Sequence, residues 1–410
     1  MDKHTTIYSF IEQEEYPLLV NQIPNDLFLN GLCIKIDDKV KFNFTGVVLV
    51  NTHVIVVFPK GYIIPDNNSE LKKHAITLLD TLLRYRQKKD IPKYEKELLG
   101  GIGKNESISA AFWILKDYLE YGLINVQDQQ YSRSSNGIIN WGRTIKKIDP
   151  IVSNNKVLYL DFITEKNNVD VDNTIYQIHK YAVNKSLGYF GWLMDMDYEN
   201  YNAELWLDKD TAIHYLEIEL QRTFTDREVN LYKKLIEFLA GASEKETGEK
   251  VVTFLTPYFH VVWESVCNFI FSGAHDEDVL IPRPFWNINN KKKYTKQIPD
   301  TIFKYKKSLF ILDAKYYKLN KLPGWGDLVK QFFYANTLSV SCEIKNILLF
   351  PNSNKDTSVN YLGYAAIENN RQFGRINGYT VDIYIAMKSY VNYDKGDFQA
   401  QLISLENKCD

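Results

Sequence analysis

The chain has 410 residues, 45% of them hydrophobic and 14% aromatic, with a formal net charge of −2. That is length and apolar content enough for two or three domains with packed cores, and it excludes a disordered polar chain. The near-neutral balance also excludes a global field drawing the protein to nucleic acid, so any polyanion contact must be a local patch.

Residues 31 to 65 read as a small antiparallel meander. Ile34-Lys35-Ile36 and Val40-Lys41-Phe42-Asn43-Phe44 alternate apolar and polar positions around the turn residues Asp37-Asp38. Gly46 to Val50 and Val54 to Phe58 follow, and Pro59, Gly61 and Pro65 end the sheet. We read residues 1–66 as a self-contained β module that serves as an adaptor. The pattern then turns helical from Ser69, a candidate N-cap, to Gln87. A second helix is expected over Ser107 to Tyr121, with Gly122 as its stop and Leu123 to Val126 returning as a short strand. Helix, glycine stop and strand are compatible with a winged-helix-like unit. Gly100, Gly101 and Gly103 before Lys104 do not make a phosphate-binding loop, because Asn105 stands where Ser or Thr is needed and the first glycine of that motif is missing.

Asn136 to Pro150 (N-G-I-I-N-W-G-R-T-I-K-K-I-D-P) reads as a basic-aromatic loop. Its Trp141, Arg143, Lys146 and Lys147 are candidates for contact with DNA or a partner protein. Residues 151 to 250 read as mainly helical, with helices over Val171 to Ser186 and Thr225 to Ala240; His179 and His214 stand alone and read as structural. The polar tract 241–250 is the best linker candidate. The expected division is therefore 1–66, a mainly helical region 67–250, and a compact catalytic domain 251–410. Its last strands are expected over Asn346 to Phe350 and Gly378 to Ile385.

The most informative stretch is Gln297 to Tyr317. A strand-turn-strand pattern begins after Pro299-Asp300 and ends in the apolar run Leu309 to Leu312 followed by Asp313-Ala314-Lys315. On an extended chain Asp313 and Lys315 leave the same face. With Asp300 on the paired strand, two carboxylates and an ammonium converge. The D/E-x-K tripeptide alone is not specific, since it occurs five times, at Asp37, Glu70, Asp313, Glu343 and Glu406. Three further features distinguish this copy. Glu264 lies on a helix-like stretch upstream, Asp327, Gln331 and Tyr334 share a helix face downstream, and residues 289–321 carry ten lysines against Asp300 and Asp313. Among those lysines, Lys291, Lys292, Lys293, Lys296, Lys318 and Lys321 are the candidates for phosphate contact.

The order helix with Glu, strand with Asp, strand with D-x-K, helix with Gln resembles the PD-(D/E)xK nuclease superfamily. The expected fold is therefore an α+β multidomain chain: N-terminal β module, helical middle, and a restriction-endonuclease-like α/β domain with a central mixed sheet. In that reading Asp300, Asp313 and the backbone carbonyl of Ala314 hold Mg²⁺, with Mn²⁺ as a substitute, because hard oxygen ligands suit such ions. Lys315 stabilises the phosphorane or, deprotonated, orients water; the sequence leaves both open. Glu264 adds a ligand through water or tunes the site, and Gln331 orients water or meets a phosphate. Competing chemistries lack their residues. There is no H-E-x-x-H, no G-x-S-x-G and no C-x-x-C among Cys33, Cys267, Cys342 and Cys409. No run approaches the ~18 apolar residues of a membrane span. The acidic start M-D-K-H-T-T-I-Y-S-F-I-E-Q-E-E does not read as a signal peptide, so a bacterial cytoplasm is the expected setting.

Within that superfamily the sequence is most similar to the LlaJI-type restriction endonucleases and the McrC nuclease subunits. Gly137-Ile138-Ile139-Asn140-Trp141-Gly142-Arg143-Thr144-Ile145 resembles their G-x-I-x-W-x-R-T-I segment. Val262-Trp263-Glu264, Pro299-Asp300, Asp313-Ala314-Lys315 and Gln331-Phe332-Phe333-Tyr334-Ala335 resemble their helix acid, P-D, D-A-K and Q-x-x-x-Y/A elements. The resemblance implies double-stranded DNA as substrate and an AAA+ GTPase of the McrB kind as partner. It further implies that nucleotide is bound by that partner and not by this chain, and that two copies meet for double-strand cleavage. A self-sufficient endonuclease and a non-catalytic DNA-binding or NTPase-stimulating subunit stay open as alternatives.

Overall fold

Short runs near the N-terminus, alternating or continuously apolar, form strands β1 (Thr6–Ile11), β2 (Glu15–Pro17), β3 (Cys33–Ile36), β4 (Lys39–Phe42), β5 (Thr45–Val50) and β6 (His53–Phe58), with the short helix α1 (Asn25–Leu29) between β2 and β3. A computed structural model of the protein describes residues 6–17, 23–50, 53–88, 91, 99, 107–124, 127–133, 138–153, 156–169, 172–194, 205–241, 251–272, 282, 284–295, 299–338, 342–354 and 357–409. The expected meander forms but divides. One sheet has the order β2-β4-β3, whereas β5 and β6 enter a second sheet. The helix α2 (Asn68–Arg86) starts one residue before the serine expected to cap it. Asn67 is the cap, its side chain accepting from the Ser69 and Glu70 N–H groups.

Residues 106–243 are a compact unit of their own. Helix α3 (Ser107–Tyr121) ends at Gly122, whose φ of 73° suits glycine. After it come β7 (Gln127–Arg133), β8 (Ile138–Ile139), helix α4 (Trp141–Lys147), β9 (Ile151–Ser153), β10 (Lys156–Leu158) and β11 (Ile163–Val169). Helices α5 (Thr174–Phe190), α6 (Lys209–Leu220) and α7 (Asp226–Gly241) complete the unit. Two expectations are corrected here. Where helices were expected, the described residues between 151 and 169 form β9, β10 and β11: they carry no apolar stripe at helical spacing, and β11 pairs with β7 along its length. The expected loop around Trp141 is partly the helix α4, capped by Asn140, whose side chain accepts from the Arg143 N–H. Helix α3 packs on α5 and α7. Arg227 of α7 reaches Asp117 at 2.9 Å and the Gly122 carbonyl at 3.1 Å, closing the end of α3. His179 is fully buried and accepts from the Ile124 N–H at 3.1 Å, the structural role expected of it. Residues 125 and 126 of the expected return strand and 242–250 of the expected linker lie outside the described residues.

The remaining elements are β12 (Val251–Thr256), α8 (Phe259–Phe271), β13 (Phe285–Ile288), β14 (Lys291–Tyr294), β15 (Thr301–Tyr305), β16 (Ser308–Ala314), α9 (Trp325–Thr337), β17 (Glu343–Asn352), β18 (Val359–Ala366), β19 (Arg375–Asp382), α10 (Ile383–Val391) and α11 (Phe398–Cys409). A mixed sheet runs β15-β16-β17-β19-β18, with the central pairs β16–β17 and β17–β19 parallel and both edges antiparallel. Ile383 to Ile385 begin a helix instead of extending β19, because Asp382 caps it by accepting from the Ile385 N–H.

The expected three-part division is also corrected. Residues 1–105 and 244–410 form one compact unit. Strand β12 leaves the expected catalytic domain to pair with β5, giving the sheet order β1-β6-β5-β12. Gly46, at φ 144°, lets β5 approach that strand where a Cβ would meet the Phe254 carbonyl at 2.3 Å. Helix α2 covers α10, with the His74 ring stacked on Tyr384 at 3.7 Å and the Arg84 guanidinium over the rings of Phe269, Tyr390 and Tyr393. A β module whose sheet is completed by β12 does not stand alone. No described helix is long and apolar enough to cross a membrane.

Candidate active site

The β15–β16 hairpin builds the site. Thr301 pairs with Leu312, so continuing that register by one residue sets Asp300 across from Asp313. The Asp300 carboxylate accepts from the Ala314 N–H at 2.8 Å, and its backbone carbonyl accepts from the Asn268 side chain of α8 at 2.6 Å. The Lys315 N–H continues the parallel pairing by donating to the Leu349 carbonyl at 2.8 Å. The two acids thus stand at the carboxyl end of a parallel strand pair, where open sheets commonly hold ligands.

Asp313 is 2% exposed, and among the described residues no backbone N–H or uncharged side chain donates to its carboxylate. Its charge is met by ion pairs, with the Lys315 ammonium at 2.5 Å and Lys330 at 3.9 Å. Lys315 also pairs with Asp327 of α9 at 3.1 Å, and Asp327 accepts from the Tyr317 hydroxyl at 3.0 Å. Burial works against the Lys315 charge, but Asp313 and Asp327 outweigh it and raise the Lys315 pKa, so the ammonium form is the one present. Burial, then the charge of Asp313, pushes the Asp300 carboxyl up to about 7. The Glu264 carboxyl on α8 is raised by burial and by Asp313, against the pull of Lys315 and Lys330. Such a set of coupled acids is what a divalent cation would relieve: a buried carboxylate met by ammonium groups, opposite a carboxyl that resists ionising alone. The residues fit such an ion through Asp300, Asp313 and the Ala314 carbonyl. Among the described residues no group of three His, Cys, Asp or Glu side chains is gathered as a ready-made cage, so backbone oxygen and water would complete the shell.

Gln331 occupies a different place from the one expected. It is 1% exposed, and its side-chain nitrogen donates to the Ile311 carbonyl, the Ile347 carbonyl and the Asn346 side chain at 3.3, 3.2 and 2.7 Å. The amide that was to meet water or phosphate instead fastens α9 to β16 and β17. Lys318 is corrected likewise, because it binds Glu14 at 3.1 Å and the Gln13 carbonyl at 3.2 Å and so belongs to the packing of β16's extension on the N-terminal strands. Lys291, Lys292, Lys293 and Lys321 are exposed, while Lys296 lies outside the described residues. In the other unit, Trp141, Arg143, Lys146 and Lys147 are exposed on α4, with the Trp141 ring edge-on to Tyr159 and Phe162. Sequence reasoning placed Asp327 on the supporting helix face without its pairing to Lys315, and it missed Lys330. The available sign was their helix: Asp327 stands one turn before Gln331.

Residues 44–377, which span every one of these positions, match the family model for the LlaJI restriction endonuclease. The chain is 30% identical over 357 residues to component YdjA of the type II restriction enzyme BsuMI of Bacillus subtilis (strain 168), covering 78% of this chain and 75% of that protein. Among solved structures it is similar to McrC bound to McrB AAA+ hexamers in a half-complex from Thermococcus gammatolerans, at 15% identity over 94% of this chain and 99% of that one, with a TM-score of 0.41. It is also similar to the McrBC complex of the same organism, at 14% identity over 63% of this chain and 85% of that one, with a TM-score of 0.27. With the family match running over most of its length, the chain belongs to the LlaJI restriction endonuclease family.

Proposed function

We propose that this chain is the DNA-cleaving subunit of a restriction system, hydrolysing phosphodiester bonds of double-stranded DNA at a PD-(D/E)xK centre. The observation that carries the reading is the buried Asp313, opposite Asp300 and beside the Lys315 ammonium. Asp300, Asp313 and the Ala314 carbonyl would hold Mg²⁺, or Mn²⁺ in its place, which when bound acts as Lewis acid and lowers the pKa of water. Lys315 keeps its proton and offers the ammonium to the charge that gathers on the phosphoryl oxygens as the bond breaks. Asp327 steers that ammonium, since it shares Lys315 with Asp313. Glu264 faces the same field from α8, and its raised pKa suits a group that tunes the site or binds through water. Gln331 acts as a positioning residue by holding β16 against β17.

The chain would act with an AAA+ GTPase that binds the nucleotide, two copies meeting for double-strand cuts. Support for the partner comes from the segment Ile138 to Ile145 and from a sequence with no phosphate-binding loop. The exposed face of α4 is the candidate contact. The test is plasmid cleavage in Mg²⁺, alone and with a candidate GTPase plus GTP, with Asp313→Ala as control. The expected result is cleavage that Asp313→Ala lowers by at least a thousandfold while DNA affinity is retained. Cutting that persists in Asp313→Ala removes the site, and cutting without any partner makes the chain a self-sufficient endonuclease.

A further inference from the structure

Among the described residues strands β13 and β14 form a two-stranded ribbon that joins no larger sheet, and every one of their eight residues is exposed. Its register pairs Phe285 with Tyr294, Trp286 with Lys293, Asn287 with Lys292 and Ile288 with Lys291. Alternation therefore gives one face Phe285, Asn287, Lys292 and Tyr294, and the other Trp286, Ile288, Lys291 and Lys293. Each face combines aromatic surface with lysine, and the ribbon contains no acid. On the first face the Lys292 ammonium lies 4.5 Å from the centre of the Phe285 ring. Asn289 and Asn290 both take positive φ at the tip, 51° and 59°, the arrangement of a tight hairpin turn that asparagine tolerates.

A ribbon with Trp286 67% exposed and three lysines that form no ion pair among the described residues is poor packing surface and good polyanion surface. Its dimensions also fit. Five residues from base to tip extend about 16 Å, and the major groove, roughly 12 Å wide and 8.5 Å deep, admits a two-stranded ribbon. The ribbon is tied closely to the chemistry, because Thr295 and Asp300 are five residues apart and five residues span at most about 18 Å.

Resting on the nuclease reading, we infer that the ribbon Phe285–Tyr294 is the chain's own DNA-reading element. It enters the major groove of duplex DNA beside the scissile phosphate, with Lys291, Lys292 and Lys293 on the backbone and the tip amides of Asn289 and Asn290 at base edges. Asparagine amides suit adenine edges, so the ribbon favours sites containing A·T pairs near the cut.

The test uses the full chain with Asp313→Ala, so that binding is read without cleavage, on duplexes of random and A·T-containing sequence across a salt series. Replacing all three lysines by alanine is expected to weaken binding to all duplexes about tenfold or more and to reduce the slope of log K against log salt by about 2 to 3. Asn290→Gly keeps the turn and removes one amide. It is expected to leave random-sequence affinity unchanged and to reduce discrimination among sequences about tenfold. Full binding and an unchanged salt slope in the triple variant, with its melting temperature retained, overturn the ribbon's role and leave the nuclease reading intact. A parent chain that binds no duplex at all overturns both. A triple variant that keeps DNA affinity but loses a protein partner, read by light scattering, makes the ribbon a protein-docking surface and overturns this inference.

Discussion

The Asp300 carboxyl, pushed up to about 7 from an ordinary value of 3.8, makes stability depend on pH in a definite direction. Between those two values the folded chain keeps a proton that the unfolded chain has lost, so metal-free stability falls as pH rises through that window. The full loss, of order 2–4 kcal/mol, is present above pH 7 and absent below pH 4. We expect Asp300→Asn to raise the melting temperature at pH 8 in a chelator and to leave it unchanged at pH 4. Divalent metal added at pH 8 should stabilise the parent chain and not this variant. Thermal unfolding at the two pH values checks this, and an equal effect at both would mean that burial of the carboxylate is not what strains the site. Gln331 makes the complementary case. Gln331→Leu fits the volume but strips donors from the Ile311 and Ile347 carbonyls, so a loss of about 1–3 kcal/mol is expected in denaturant titration.

At the level of elements, the chain that leaves β16 through Lys315 is anchored directly beyond the site by the N-terminal strands. Tyr316, next after Lys315, donates its hydroxyl to the buried Glu12 and accepts from the Lys60 N–H at 2.9 Å. Thr45 completes the cluster by donating to Glu12 at 2.9 Å, and the Lys60 ammonium lies 4.6 Å over the Tyr316 ring. Tyr316→Phe removes the hydroxyl and leaves the Lys60 N–H without its acceptor. It is expected to lower stability by about 1–3 kcal/mol. It should also slow single-turnover cleavage about tenfold at unchanged DNA affinity, since a small displacement of Lys315 is enough. Unaltered cleavage in a destabilised Tyr316→Phe would show that the anchor serves folding alone.

On the scale of the molecule, the unit that carries the site is assembled from both ends of the sequence. A fragment beginning at residue 251 would leave β12 without β5 and expose the face of α10 that α2 covers. Such a fragment is expected to be insoluble or to lack a cooperative melt, and co-expression with residues 1–105 should recover it. Independent, cooperative melting of 251–410 at the temperature of the whole chain would count against this arrangement.

What the sequence determined by itself was local. Period-two alternation placed β3 and β4, continuous apolar runs placed β5, β6 and β16, the Gly122 stop ended α3, and the P-D and D-A-K spacing located the acids, because those patterns depend on neighbours a few residues apart. Long-range pairing was not legible. Nothing near Val251 says that it will pair with Val50, and nothing near Gln331 says that its amide faces backbone instead of solvent. The same holds for Lys318, whose charge reads as phosphate-binding until the fold sets Glu14 beside it. Side-chain chemistry declares what a residue can do, whereas burial and the partners brought from distant sequence decide which of those things it does.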